Sequence, residues 1–346
     1  MAVPETILTN ADLERMVNTT DEWIVTRTGI RERRIAAHDE CTSDFAVRAA
    51  LMALADAGME ADTLDVILCA TCSGDYLWPA TACLVQGAIG AGTAQAFDVS
   101  AACAGFVYGL QLAGALIETG AAEHVLVIGA DTLSRHVDWT DRTTCVLFGD
   151  GAGAAVMGPV APGDGLLGSA MGADGSRVHS LYVPAGGTRT PLTCELIREG
   201  GNKLTMHGPE VFKFAVRIMG EACMAALANA GLTAEDVDLF VPHQANIRII
   251  RAAAQRMGLT EDRVFTNVER YGNTSAASVP IALYEAVEAG RVDCGDVLVF
   301  VGFGAGLTWG ANVVRWTRDE RDRRQTTSVA LHGQFSTAGG TACGTH

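Results

Sequence analysis

Residues 53–66 read ALADAGMEADTLDV, and residues 226–239 read ALANAGLTAEDVDL. Each reads as the end of a helix, a closing glycine (Gly58 or Gly231), a short polar connection and an apolar strand. Glycine just past a helix end suits a left-handed cap. The strands that follow are expected at Val66–Ala70 and Leu239–Val241. The echo continues downstream. CAGFVYGLQLAGALIETG (103–120) and NTSAASVPIALYEAVEAG (273–290) both look like helices closing on E-x-G. Each leads to an apolar strand, Val125–Ile128 or Val297–Val301, and then to GDGAG (149–153) or GFGAG (302–306). Chance similarity between Ala/Gly-rich helices does not produce four matched elements in one order. The chain therefore reads as two similar α/β halves, each with a mostly parallel sheet and alternating helices. Near-continuous apolar strands fit that architecture.

The composition agrees. The 346 residues carry 25 Lys+Arg against 40 Asp+Glu, a net charge of −15, with 49% hydrophobic and 19% charged residues. So apolar a chain is not disordered as a whole, and its length suggests about two domain-sized units. An acidic chain is a poor non-specific binder of nucleic acid or anionic membrane, so neither is an expected partner. No apolar run is long enough to span a bilayer, and MAVPETILTNADLERM has neither the basic start nor the apolar stretch of a signal peptide. A cytoplasmic protein with reduced thiols is expected. Cys69 and Cys72 form a C-x-x-C, but inside an apolar strand-like run and without partner ligands, so neither a metal nor a cofactor is implied.

The duplication also points to a site. Cys103 and Asn273 occupy matching places, each at a strand-to-helix junction, and His243 falls just beyond a strand of the second half. Functional groups gather at such ends in α/β folds. Unpaired amides and the helix dipole at the junction favour a Cys103 thiolate, and its small neighbours (DVSAACAGF, 98–106) leave room for an acyl group. Pro242 hinders helix before His243, so that side chain should project from a loop. Each residue also has an ordinary reading: a small buried cysteine, a hydrogen-bonded structural histidine, a helix-capping asparagine. Together, a thiolate with His and Asn donors suits acyl-thioester chemistry. The cysteine accepts the acyl group, and the donors stabilise the enolate formed when a second thioester loses carbon dioxide.

The longer motifs are more specific. TNADLERMVNTTDEWIVTRTGIRERRIA (9–36), AFDVSAACAGF (96–106), FGDGAGAAV (148–156), VPHQANIRII (241–250) and YGNTSAASVP (271–280) resemble the β-ketoacyl-acyl-carrier-protein synthase III family, from about Val3 to Trp316. The resemblance implies a thiolase-like fold, two duplicated α/β halves in an α-β-α-β-α layering. The halves would span 1–160 and 161–316, with a floppy tail over 317–346. It implies decarboxylative condensation of a short acyl-CoA primer, acetyl-CoA first, with malonyl-acyl carrier protein. The chain would act as a homodimer in fatty acid initiation, or as a related starter enzyme of polyketide metabolism. Cys103 would be the acylated nucleophile, His243 and Asn273 the decarboxylation donors, and the Cys103 and Ala305 amides the oxyanion site. Trp23, Arg27, Arg142 and Asn246 would contact CoA. Trp78 would close the partner subunit's acyl pocket, its bulk favouring two- to four-carbon primers. A papain-like cysteine hydrolase uses Cys, His and Asn in the same chain order but lacks the duplicated pattern. A degradative thiolase would need a second cysteine within 302–312, and none is there.

Departures from the family pattern are specific to this chain. Pro209 stands where an asparagine often holds the pantetheine arm, and proline brings neither amide nor N–H. Ala305 replaces a common glycine. The chain begins about one strand later than the family does. Finally, residues 243–260 hold Arg248, Arg251 and Arg256 and no acid, a basic patch expected to dock an acidic carrier protein.

Overall fold

The structure is a computed structural model, and it describes residues 1–318. Most of the expected tail therefore lies outside the described residues. Each half is built on a four-stranded sheet. In the first, Gln95–Val99, Val66–Ala70 and Val125–Thr132 run parallel, and Asp150–Met157 closes the sheet antiparallel. In the second, Leu239–Pro242 and Val297–Gly304 are parallel, followed by antiparallel Thr308–Arg315 and Gly165–Ala173. The expected mostly parallel sheet thus holds for the first half, whereas the second is mixed. A single turn at Ala305–Leu307 returns the chain directly from Val297–Gly304 to Thr308–Arg315, and so tight a reversal can only produce an antiparallel neighbour.

Strand alternation assigns the layers. Val66, Leu68, Val125 and Val127 face inward onto the helices Gly105–Glu118 and Ser278–Glu288, together with Leu298 and Phe300 of the other sheet. Ile67, Cys69, Leu126 and Ile128 face outward onto Thr42–Ala57 and Thr81–Ile89. Val297, Val299 and Val301 face outward onto Gly208–Asn229 and Ile247–Met257. The result is the α-β-α-β-α layering, with the central helix layer shared by both halves. Gly58 and Gly231 are left-handed at the helix ends, as the echo requires.

Structure also corrects the internal alignment. In both halves a residue with positive φ, Ala102 (φ 47) or Ser275 (φ 54), opens a short 3-10 turn that runs into the central helix. The helices then begin at Gly105 and Ser278, so the counterpart of Cys103 is Ala276 rather than Asn273. The 14-residue helix Gly105–Glu118 is nearly a turn longer than the 11-residue Ser278–Glu288, and aligning their C-terminal glycines hid the shift. GDGAG and GFGAG are likewise not equivalent. The first opens the returning strand, and the second ends the outgoing one. Beside Asp150–Met157, at the place Gly165–Ala173 holds in the other half, Ala2 bridges through two 2.8 Å backbone bonds with Ala152.

Candidate active site

The two 3-10 turns cross over. Each presses on the central strand of the opposite half, and glycine is what permits it. A Cβ on Gly304 would lie 2.5 Å from the Cys103 nitrogen, and one on Gly302 would lie 2.9 Å from the Cys103 oxygen. Conversely, a Cβ on Gly129 would lie 2.3 Å from the Ala276 carbonyl oxygen. These approaches bring Cys103 of one half against the strand end and turn that follow His243 and Asn273 in the other.

Cys103 is buried, and its thiol donates to Ser275 Oγ at 3.3 Å. Burial pushes this thiol up to about 12, against the weaker pull of the Ser275 hydrogen bond. The expectation of a helix-stabilised thiolate is therefore not met in the resting site. Cys103 sits inside the tight turn, ahead of the helix proper, where loss of solvent raises the thiol. Cys72 Sγ lies 3.9 Å from the same Ser275 oxygen and donates to Asp131. Asp131, 1% exposed, also accepts from Thr71, Ser73 and the Ala276 N–H, tying the loop after Val66–Ala70 to the second half's turn.

His243 follows Pro242, the last residue of its strand, and is 1% exposed. Its Nδ1 is 2.5 Å from Ser278 Oγ, and its ring packs edge-on to Phe303 at 5.3 Å. Burial lowers its pKa to about 3, so the ring is neutral at pH 7. Ser278 Oγ already accepts from the Gln244 N–H, so we assign its proton to the bond with Nδ1. The ring hydrogen then sits on Nε2, which is buried and has no partner in the protein. An unpartnered buried N–H is costly and is expected where a ligand completes it.

Asn273 is fixed by two backbone bonds to the chain opposite: its N–H donates to Leu147 O (2.8 Å) and its carbonyl accepts from Gly149 N–H (3.0 Å). Its Oδ1 accepts from Ser275 N–H at 2.9 Å. The residue that precedes the 3-10 turn is Thr274, so Asn273 does not cap it; its oxygen makes a local bond two residues on, and no described hydrogen bond uses its NH₂ group. Ala305 opens the turn after Gly304 without a positive φ, which falls to Gly306 (φ 73), so alanine is tolerated there.

The four expected CoA residues also come together. Both Arg27 and Arg142 lie over the Trp23 ring, at 4.7 and 5.2 Å. Asn246 caps Ile247–Met257 through Oδ1 and donates from Nδ2 to Arg27 O (2.9 Å), so it braces this corner. Pro209 lies in the first turn of Gly208–Asn229, where its missing N–H costs nothing. Trp78 stands apart: it is 86% exposed, beside Leu77 (81%) and Tyr76 (65%). The arginine patch is less uniform than its sequence. Arg251 and Arg256 find Glu261 and Glu221 on neighbouring elements, while Arg248 rests on Phe212 without a carboxylate among the described residues.

Residues 97–175 match the 3-oxoacyl-[acyl-carrier-protein (ACP)] synthase III family, and residues 227–316 match its C-terminal counterpart. A β-ketoacyl-[acyl-carrier-protein] synthase III of Symbiobacterium thermophilum is 57% identical, the match covering 92% of this chain and 96% of that protein. This chain belongs to the β-ketoacyl-acyl-carrier-protein synthase III family. It is a condensing acyltransferase of fatty acid initiation, with the thiolase-like fold. Among solved relatives, the Thermus thermophilus synthase III is 50% identical with a TM-score of 0.84, covering 91% of this chain and 98% of that one. The priming β-ketosynthase of the R1128 polyketide pathway is 37% identical, also with a TM-score of 0.84, covering 91% and 93%. In this synthase III the sequence missed the groups that hold the site. Ser275 and Ser278 were visible in NTSAAS, and Asp131 was visible as a lone acid in an otherwise apolar strand (VLVIGADT).

Proposed function

We propose that this synthase III works through an acyl-Cys103 intermediate. Cys103 gives up its proton as its sulfur attacks the thioester carbonyl of acetyl-CoA or another short acyl-CoA, and CoA leaves as the thiol. The Cys103 and Ala305 amides bind the oxyanion. Malonyl-acyl carrier protein then enters, and its C–CO₂⁻ bond breaks to release carbon dioxide. His243 Nε2–H and the Asn273 NH₂ group donate to the enolate oxygen as charge develops there. The enolate carbon attacks the acyl-Cys103 carbonyl, and the Cys103 sulfur departs with its electron pair, leaving β-ketoacyl carrier protein. The observation that carries this reading is the buried His243, whose Nε2 has no protein partner, in the same half as the turn whose Ser275 accepts from the buried Cys103 thiol.

Trp23 and Arg142 suit the CoA adenine because indole and guanidinium planes both stack on bases. Arg248, the arginine of this patch without a carboxylate among the described residues, is the best anchor for the acidic carrier. The exposed Tyr76, Leu77 and Trp78 fit a homodimer in which Trp78 reaches the partner's pocket. The reaction as written needs neither metal nor cofactor, and a cytoplasmic setting matches its substrates. The polyketide starter reading differs only in primer and carrier. Intact-mass analysis after exposure to acyl-CoAs of two to eight carbons tests the reading. One acyl adduct on Cys103, absent in Cys103→Ala and strongest for two to four carbons, is expected. Labelling at another cysteine overturns it.

A further inference from the structure

Among the described residues, Arg33 is the largest side chain that is completely buried. Its guanidinium has no carboxylate within ion-pair distance among the described residues. Instead, Nη1 donates to Leu8 O (3.1 Å) and Asn10 Oδ1 (2.9 Å), and Nη2 donates to Val146 O (2.8 Å), while Nε has no partner. Burial brings its pKa down to about 10, which still leaves it charged at neutral pH. An unpaired buried cation is expensive, and an apolar residue of similar volume would ordinarily serve a core better. Its position suggests what offsets that cost.

The Arg33 stem lies under the crossing that presents Asn273. A Cβ on Gly149 would lie 3.1 Å from Arg33 Cβ and 2.3 Å from Tyr271 O. A Cβ on Gly272 would lie 3.4 Å from Arg33 Cβ and 2.7 Å from Leu147 O. Gly272 itself has φ 62 and ψ −151, a conformation that glycine alone adopts freely, and it delivers the chain directly into Asn273. The guanidinium fixes Val146, the residue before Leu147, whose carbonyl accepts from the Asn273 N–H. Two residues before Arg33, the Arg31 N–H donates to Glu269 O, so the same segment also holds the helix Val268–Tyr271 that leads to Gly272. Both backbone bonds of Asn273 therefore rest on a segment gripped by Arg33. Among the described residues, nothing comparable links Arg33 to Cys103, whose turn is braced by Gly302 and Gly304, or to His243, whose ring is set by Ser278 and Phe303.

We infer that Arg33 is a positioning residue for decarboxylation: it sets the Asn273 amide through the 146–149 segment and Gly272, and it leaves the acylation of Cys103 alone. The inference rests on the roles proposed above for Asn273 and Cys103. A guanidinium suits the task because its planar fork grips three backbone and amide oxygens at fixed angles, which an ammonium cannot do.

Separate half-reaction assays test it, with Arg33→Met, Arg33→Lys, Asn273→Ala and the Arg33→Met/Asn273→Ala double variant. Carbon dioxide release from malonyl-acyl carrier protein is expected to fall on the order of a hundredfold in Arg33→Met, the scale of a misplaced catalytic group. Acylation of Cys103 by acetyl-CoA, followed by intact mass in the same preparation, should stay within about threefold. Arg33→Lys keeps the charge and most of the stem, so it should fold and show the same split at smaller size. In the Asn273→Ala background, Arg33→Met should remove no further decarboxylation, because both changes disable one group. Parallel loss of both half-reactions in Arg33→Lys, or fully additive losses in the double variant, overturns the inference and leaves Arg33 a purely structural residue. If Asn273→Ala itself keeps full decarboxylation, the fault lies with the role given to Asn273.

Discussion

The two 3-10 turns, Ala102–Ala104 and Ser275–Ala277, use one backbone device for different chemistry. Each opens on a strained positive-φ residue, each runs into a central helix, and each is pressed against a glycine of the opposite half's central strand. Yet the first turn carries a thiol at its second position, where the second turn carries only Ala276. The second half's chemistry sits instead one step outside its turn: Asn273 two residues before it, and His243 on a strand end braced by Ser278. The difference teaches that duplication supplied the scaffold and not the roles. In the mechanism proposed above, the nucleophile uses the turn itself, whereas the donors use what the turn holds in place.

Removing the groups one at a time is the harshest test of that division. Cys103→Ala should lower condensation by at least about a thousandfold, since no acyl group is then held. It should leave carbon dioxide release from malonyl-acyl carrier protein measurable. Asn273→Ala and His243→Ala should do the reverse: each should cost roughly a hundredfold or more in decarboxylation, while acetyl-CoA still labels Cys103. If either donor variant abolishes labelling, the two roles are not separable and the comparison fails. The glycines allow a gentler version. Gly304→Ala drives a methyl against the Cys103 nitrogen, and Gly129→Ala drives one against the Ala276 carbonyl. Both contacts are with backbone, so both variants should lose stability in a melting experiment. Gly304→Ala should slow acylation more than decarboxylation, and Gly129→Ala should do the opposite. Equal effects on the two steps would mean the turns move as one body.

Much of this was legible in the sequence, for reasons the residues make plain. The halves, the helix-ending Gly58 and Gly231 and the strands Val66–Ala70 and Val297–Val301 were visible because burial on both faces writes continuous apolar runs. Cys103, His243 and Asn273 stood out because polar side chains at strand and helix ends are conspicuous. What stayed hidden depends on contacts between distant segments. The true counterpart of Cys103 was masked by helices that end alike and start differently. The raised thiol reflects burial by the opposite half, which no local pattern encodes. Glu261 and Glu221 beside Arg251 and Arg256 come from other elements, so counting acids along one helix overstated the patch. Arg33 looked like one more charge in a basic stretch, and only the fold puts it under Asn273.

The smallest expected effect is on stability, and it separates the two halves by sign. Cys103 and His243 are both buried and both neutral at pH 7, but burial moves them in opposite directions, up to about 12 and down to about 3. The folded state thus resists charging either group. For His243 the unfolded chain takes up a proton below its ordinary value near 6.5, and the folded chain does not until about pH 3. In that window the unfolded state holds more protons, so stability falls as pH falls, by roughly 1 kcal/mol per pH unit from this group. For Cys103 the window lies above about pH 9, where the unfolded thiol ionises and the folded one holds its proton, so stability falls as pH rises. The alkaline side is shared with other buried thiols, Cys69, Cys145 and Cys223, whose values burial also raises. On the acid side, burial lowers His136 in the same direction, and it is less deeply buried. Denaturant titrations of His243→Gln between pH 6.5 and 4 should therefore show a shallower decline than the parent, with the curves converging near neutrality. Parallel slopes would mean that His243 charges within the fold, and a charged ring would have to find an acceptor that the neutral Nε2–H arrangement does not include.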